Sequence, residues 1–488
     1  PDGPPTPDNP ATPAGIPHGG EMTLMKPPPE PGPAPGEDVT WQGCMRAGST
    51  LAGSGQHAAA AAAFSRALQA CPGHAPTTGQ FAAALLRAGE HARALSAFDT
   101  ALQLAPAHTG YLQGRALALC GLGETGPALE TFRRAAAISP AAWTAWASIA
   151  DITPDEAERV SALRHAAEAL ETLCQNDDAP PALFAACSDA LINAHRFEEA
   201  ARFARAHRAR FRSPFAAGNA LARALYYPGH FREAFRHKAR ALARLTPSDL
   251  PAASPVRAFS PGAAVVALRE VMDILTAAGA APFLAAGTLL GFHRSGGPLA
   301  HDRDVDIGII RNTDGSPDIA GLLRAHPRLL LPRAARPGDR YFGIMFRGIA
   351  IDIFLHDARG GALLCGLGNL KGDIQWRFTA FGLARRDYQG EAWTIPDDPE
   401  RYLAETYGPG WRTPDKGFAS AVSSPALHQA DDDTRAYYAA ARAANALLSG
   451  DSAKAQALRR QSPLPFTLPA LAGAGPGGVP DTEGSPMA

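Results

Sequence analysis

Cysteine is scarce and scattered. The six cysteines (Cys44, Cys71, Cys120, Cys174, Cys187 and Cys365) form no C-x-x-C pair and no Cys/His group at zinc-ligand spacing. That excludes a zinc-finger type of site and points to a reducing compartment. An excess of one charge sign is also missing. Lys+Arg 46 against Asp+Glu 47 leave a net charge of -1, so no global attraction to nucleic acid or anionic lipid is expected. The N-terminus, Pro1-Asp2-Gly3-Pro4-Pro5, lacks a basic-then-apolar signal. One stretch, Ile274 to Phe292, runs uncharged for nineteen residues. Gly279, Pro282, Gly287 and Gly291 interrupt it, so it reads as a buried strand and turn, and no transmembrane segment is expected. The 48 glycines and 44 prolines exclude one long coiled coil, and 46% hydrophobic content excludes wholesale disorder. A length of 488 residues suggests roughly three units at about 150 residues each.

What is present begins with a Pro/Gly-rich leader over residues 1–40, matched by a similar tail over 462–488. Both lack the apolar content to offset chain entropy and are expected to be disordered. After the leader comes a repeat. Gly55/Gly89/Gly123, Ala60/Ala94/Ala128, Phe64/Phe98/Phe132, Ala67/Ala101/Ala135 and Pro72/Pro106/Pro140 each recur at a spacing of 34. These columns resemble the tetratricopeptide repeat, a helix-turn-helix unit of that period. Gly turns the chain, alanines let helices approach, Phe fills the groove and Pro ends the second helix. Degenerate units follow at Phe197-Glu198-Glu199-Ala200 and at Gly229 to Ala234, while 141–191 is helical in period without the columns. The expectation is an all-α solenoid of six or so helix pairs over 41–250. Its concave face would serve a protein partner or self-association in preference to a glycan.

The pattern changes after Pro251-Ala252-Ala253-Ser254-Pro255, with the boundary near 252. A helix is expected from Pro261 to about Ala278. Short β-rich runs follow at Pro282–Ala286, Val305–Ile310, Tyr341–Phe346 and Ile349–Phe354. Mixed helices and strands argue for an α/β domain over 256–428, followed by terminal helices over 429–461.

Within that domain the chain reads Gly287-Thr288-Leu289-Leu290-Gly291-Phe292-His293-Arg294 and then His301-Asp302-Arg303-Asp304-Val305-Asp306-Ile307-Gly308. Residues two apart share a strand face, so Asp302, Asp304 and Asp306 are expected to project together. Crowded carboxylates repel, and a divalent cation relieves that best. A further acid, Asp352, stands alone in Ile349-Ala350-Ile351-Asp352-Ile353-Phe354, as a buried partner for the same cation would. Gly287-Thr288, after a short strand and opening a helix, has the make-up of a phosphate cradle.

These residues resemble the nucleotidyltransferase fold, specifically the LicD family of phosphocholine transferases and its fukutin-type relatives that transfer ribitol phosphate. Ile395-Pro396, Tyr402-Leu403, Tyr407-Gly408, Trp411 and Pro414 are similar to the family's closing motif. The likeness spans roughly 265–415. Where the family often carries an aromatic residue and an unbroken acidic run, this chain has His301 and Arg303, so Asp304 and Asp306 carry the match more than Asp302.

The resemblance implies transfer of a phospho-alcohol, phosphocholine-like or ribitol-phosphate-like, from a CDP-linked donor to a glycan hydroxyl, with release of CMP. Asp304, Asp306 and Asp352 would hold one or two Mg²⁺ (or Mn²⁺) ions, and either Asp306 or Asp352 would accept the acceptor's proton. Gly287, Thr288, Arg294 and Arg303 would bind substrate. His293 and His301 read as packing residues, Tyr407 and Trp411 as core anchors, and Lys371, Arg377, Arg385 and Arg386 as a solvated face. The expected location is cytoplasmic, the inner face of the membrane included. Two other readings stay open: a glycosyltransferase using Asp304-x-Asp306 for its metal, and a non-catalytic repeat scaffold.

Overall fold

The computed structural model describes residues 39–250, 259–300, 302–415 and 417–470. The expected leader, the boundary near 252, His301 and the end of the expected tail therefore lie outside the described residues, apart from a few positions.

Twelve helices form six antiparallel pairs: α1 (Trp41–Gly53) with α2 (His57–Ala70), α3 (Ala75–Arg87) with α4 (His91–Leu104), α5 (Thr109–Gly121) with α6 (Thr125–Ile138), α7 (Trp143–Ile152) with α8 (Glu156–Leu173), α9 (Pro181–Asn193) with α10 (Phe197–Ala206), and α11 (Pro214–Tyr226) with α12 (Phe231–Leu242). The glycine column has a local cause: Gly55, Gly89 and Gly123 sit at φ near +80° in the turn within each pair, a conformation that Gly adopts without a Cβ penalty. The phenylalanine column is explained by close packing. A Cβ on Gly114 of α5 would lie 2.1 Å from the Phe98 ring of α4.

The second half holds α13 (Pro261–Ala277), β1 (Pro282–Leu284), α14 (Ala286–Ser295), β2 (Asp304–Arg311), α15 (Ile319–Ala325), β3 (Tyr341–Phe346), β4 (Ile349–Arg359), β5 (Ala362–Gly366), β6 (Gln375–Thr379), β7 (Leu383–Tyr388), β8 (Glu391–Pro396), α16 (Pro399–Tyr407), α17 (Ser420–Ser423), α18 (Asp432–Leu448) and α19 (Ser452–Gln461). β4 is the spine of a six-stranded sheet. β2 runs parallel along one side of it, β3 antiparallel along the other, and its far end turns back into β5. The uncharged run 274–292 is divided among the end of α13, β1 and α14. Among the described residues no helix is long and apolar enough to cross a membrane.

The solenoid does not stop where the sheet begins. One continuous apolar core runs from Ala167 and Leu170 of α8, through α9 to α12, into the sheet and on to Phe466. The tail expected to be disordered from 462 is therefore ordered at least to residue 470: Phe466 is buried, and Leu464 and Leu468 pack against the same core. Three apolar side chains among the prolines and serine of 462–470 supply the burial that composition alone discounted.

Polar contacts lock the same junction. Arg159 of α8 is only 1% exposed. Its Nη1 donates to the Ala335 carbonyl (2.9 Å), and its Nη2 donates to those of Pro332 (2.6 Å) and Arg333 (3.0 Å). Around it, Arg333 grips Asp151 through two 2.7 Å bonds, Arg336 donates to the Asn193 carbonyl (2.7 Å), and His195 Nε2 donates to the Ala334 carbonyl (2.7 Å). The segment between α15 and β3 is thus held by the solenoid. Removing a buried donor leaves its acceptors unsatisfied, each at about 1–3 kcal/mol. Arg159→Met is expected to lower unfolding free energy by roughly 3 kcal/mol, read from urea denaturation.

Candidate active site

The parallel pairing of β2 with β4 sets Asp306 opposite Asp352 and Asp304 opposite Ala350. Register-matched residues on neighbouring strands share a face, so all three carboxylates lie on one side of the sheet. β3 completes that face: Gly343 pairs with Asp352, and the Tyr341 hydroxyl donates to Asp352 Oδ1 at 2.9 Å. Asp306 and Asp352 are 1% and 0% exposed.

The other elements fix the acids in place. β1 leads directly into α14, whose first amides point at β2. Asp306 Oδ2 accepts from Gly287 N (2.8 Å) and Thr288 N (3.4 Å), while the Asp306 amide donates to Thr288 Oγ1 (2.6 Å). The helix N-terminus does hold an acid, as its free amides and dipole favour, but the acid is the protein's own Asp306 side chain. In this structure Gly287 and Thr288 position Asp306, which takes up their amides. Tyr402 supports the turn, accepting from Ala286 N at 3.2 Å, where Ala286 holds φ of 36°.

Asp302 stands just ahead of the strand, since β2 starts at Asp304; one of its oxygens closes the preceding turn, while Oδ1 is buried without a hydrogen-bond partner and its charge bears on Asp304 and Asp306. Its Oδ2 accepts from Leu299 N and its amide donates to the Leu299 carbonyl, both at 3.0 Å. Arg294 is turned toward the closing segment, donating to the Trp411 carbonyl, with Nε and Nη1 buried and without a partner. Arg303 is exposed, close enough to Asp304 to favour its charged form.

One residue of the site lies outside every sequence expectation. Arg442 in α18 is 6% exposed, its Nε and Nη2 make no hydrogen bond, and its charge acts on Asp304 and Asp352. A signal for it exists: Ala439-Ala440-Ala441-Arg442-Ala443-Ala444 sets one charge in an apolar run, as the isoleucines do around Asp352.

Burial dominates the electrostatics. It raises Asp304 to about 6 against the opposing pull of Arg442. Asp306 and Asp352 are held well above the usual carboxylate range by burial and then by repulsion from the neighbouring acids. Asp302 is raised to about 7, again mainly by burial. Among the described residues no three His, Cys, Asp or Glu side chains converge as a ready cation cage. Asp306 Oδ1 and Asp352 Oδ2, however, are buried on adjacent strands with no hydrogen-bond partner. Mg²⁺ is commonly held by one or two carboxylates together with substrate phosphate, so this donor set fits a hard divalent cation.

A pH dependence follows. An unfolded aspartate titrates near about 3.9, whereas these four titrate higher when folded. Between those values the folded state binds more protons than the unfolded chain, so stability falls as pH rises. In EDTA the melting temperature is expected to drop from pH 5 to pH 8. Excess Mg²⁺ should restore it by several degrees at pH 8 but not at pH 5, because the cation needs deprotonated ligands; differential scanning fluorimetry reads both.

Residues 279–328, which carry β1, α14, β2 and α15, match the family described as LicD/FKTN/FKRP, nucleotidyltransferase domain, a phosphotransferase-type family. No curated protein sequence matches the chain. Among solved structures, MamA 41-end from Desulfovibrio magneticus RS-1 is similar at 20% identity, covering 29% of this chain and 80% of that one with a TM-score of 0.26. A tetratricopeptide repeat protein from Parabacteroides merdae is similar at 14% identity over 42% of this chain and 80% of that one, with a TM-score of 0.31. The element order itself gives an N-terminal region of repeated helices followed by a mixed α/β region, and the segment matching the LicD model lies in the latter.

Proposed function

We propose that the protein is a metal-dependent phosphotransferase that moves a phospho-alcohol, phosphocholine-like or ribitol-phosphate-like, from a CDP-linked donor to a glycan hydroxyl. The observation that carries this reading is the pair of unpartnered buried oxygens, Asp306 Oδ1 and Asp352 Oδ2, in register on parallel strands beside a segment that matches the LicD model. Asp306 and Asp352 would hold Mg²⁺ or Mn²⁺, with Asp304 alongside. When bound, the cation neutralises the diphosphate and orients the reacting oxygens for in-line displacement. Gly287 and Thr288 fix the Asp306 carboxylate, Tyr341 fixes that of Asp352, and the buried setting limits access of water to the donor phosphates.

The solenoid is assigned a protein partner or self-association through α1 to α6, since the later helices share a core with the sheet. A cytoplasmic setting agrees with six free thiols. The test is incubation of the purified chain with Mg²⁺ and labelled CDP-choline, CDP-ribitol, UDP-sugars or GDP-sugars, following release of CMP, UDP and GDP. CMP release from a CDP-alcohol is expected. Turnover of sugar nucleotides alone would replace this reading with the glycosyltransferase one.

A further inference from the structure

We propose that Arg442, reached from a helix outside the LicD-matching segment, is the ligand that grips the phosphates of the metal-chelated donor. This rests on the phosphotransfer reading above. The geometry has two shortfalls that complement each other. On one side, the Arg442 guanidinium is buried with Nε and Nη2 unpartnered. On the other, Asp306 Oδ1 and Asp352 Oδ2 are buried acceptors with no donor. A direct ion pair between them would satisfy both, and among the described residues none forms, although Arg442 sits near enough to act electrostatically on Asp304 and Asp352.

Buried polar groups left without partners are disfavoured, and the acids among them either keep their protons or are completed by a ligand. The species that completes both sets has a cation toward the carboxylates and oxyanions toward the guanidinium, which describes a divalent metal diphosphate. The planar fork of Arg matches phosphate oxygens two at a time, where a Lys would offer a point charge.

α18 is also held firmly enough to aim the group. Arg435, two turns earlier, donates Nη2 to the Val422 carbonyl at 2.8 Å. The Tyr437 ring stacks on Tyr226 at 4.6 Å between centroids, and Asp431 N donates to the Gly372 carbonyl at 2.9 Å just before the helix. The guanidinium is thus carried on an element braced by both the solenoid and the loops at the sheet's edge.

The test is calorimetry on the full chain with Mg²⁺ alone and with Mg²⁺-pyrophosphate, comparing wild type, Arg442→Gln and Arg442→Lys. Charge-assisted hydrogen bonds of this type correspond to roughly a 10- to 100-fold loss when removed. The Gln variant is expected to lose that factor for Mg²⁺-pyrophosphate while binding Mg²⁺ alone as well as wild type or better, with the Lys variant in between. Pyrophosphate affinity within twofold of wild type overturns the proposal, as does equal weakening of cation and pyrophosphate, which would make Arg442 a counter-ion that only organises the acids. Should the Gln variant melt without cooperativity, the Lys variant decides by the same comparison. Wild type that binds Mg²⁺-pyrophosphate through Arg442 yet releases no CMP from any CDP-alcohol removes the donor assignment and leaves this inference standing. Wild type that binds no pyrophosphate removes the inference whatever the turnover.

Discussion

Asp352→Asn is expected to give a folded protein whose CMP release is at least about a thousandfold slower than wild type, because a ligand charge that orients the reacting groups is lost while the shape is kept. Asn is nearly isosteric, and its carbonyl oxygen can still accept from the Tyr341 hydroxyl, the 2.9 Å bond that Asp352 Oδ1 makes. What changes is the other atom: the unpartnered Oδ2 becomes an amide. The substitution also removes one of several carboxylates that repel one another in a buried place. Replacing an uncompensated buried charge by a neutral group of the same volume is commonly neutral or stabilising. In EDTA at pH 8 the variant should therefore melt at or above the wild-type temperature, and the Mg²⁺-dependent rise should be largely gone. Nucleotide chromatography for the rate and scanning fluorimetry for the melt separate the roles. An unchanged rate would take Asp352 out of the site, and a slow rate accompanied by loss of the cooperative melt would make it a structural residue.

The parts of this molecule that were legible in the sequence are those with local causes. Gly89 recurs with Gly55 and Gly123 because one backbone conformation is needed in each turn, and Phe64 and Phe98 each fill the room that a glycine on a neighbouring helix leaves. Asp306 and Asp352 stand out because each interrupts an apolar strand, and the register that unites them follows once both strands are placed in one parallel pair.

What was not legible depends on which distant elements meet. The Gly287-Thr288 turn has the composition of an anion site, yet composition cannot say that the group it holds is the Asp306 side chain itself. Asp302 shares the alternation of the acids, but the strand begins two residues later and a turn claims one oxygen of its carboxylate, leaving the other buried near Asp306. Arg442 lies 90 residues from Asp352 and 136 from Asp306, and it joins them only because α18 packs on α12 and shares one core with the sheet. The solenoid was expected as a separate unit, whereas Arg159 satisfies carbonyls more than 170 residues away. No helical period or charge pattern announces that pairing, since a lone Arg on a helix reads as solvated.

A chain that stops at residue 428 is expected to lose cooperative folding of its second half altogether. Read as a string, 429–461 is a pair of terminal helices that could be trimmed. In the structure Tyr437, Tyr438, Leu447, Leu458 and Phe466 are all buried in the continuous core. Lys238 of the solenoid lies over the Tyr437 ring at 5.5 Å, and the Tyr226 hydroxyl donates to Asp373 in the same cluster. Five large side chains at roughly 1.5–3 kcal/mol each amount to about 10 kcal/mol, comparable with the whole stability of an ordinary domain. The exposed faces of α12 and the sheet would then drive aggregation. The truncated chain should lose its near-UV circular dichroism and bind no Mg²⁺. Deleting residues 39–106 is the matched control. It removes a similar length from the far end of a solenoid in which each repeat touches only its neighbours, and it leaves the core from Ala167 onward untouched. That variant should still melt cooperatively and retain Mg²⁺ binding. If the 1–428 chain melts within a few degrees of wild type, α18 is an appendage, the continuity of the core across the two halves has no energetic weight, and Arg442 has no fixed place from which to act.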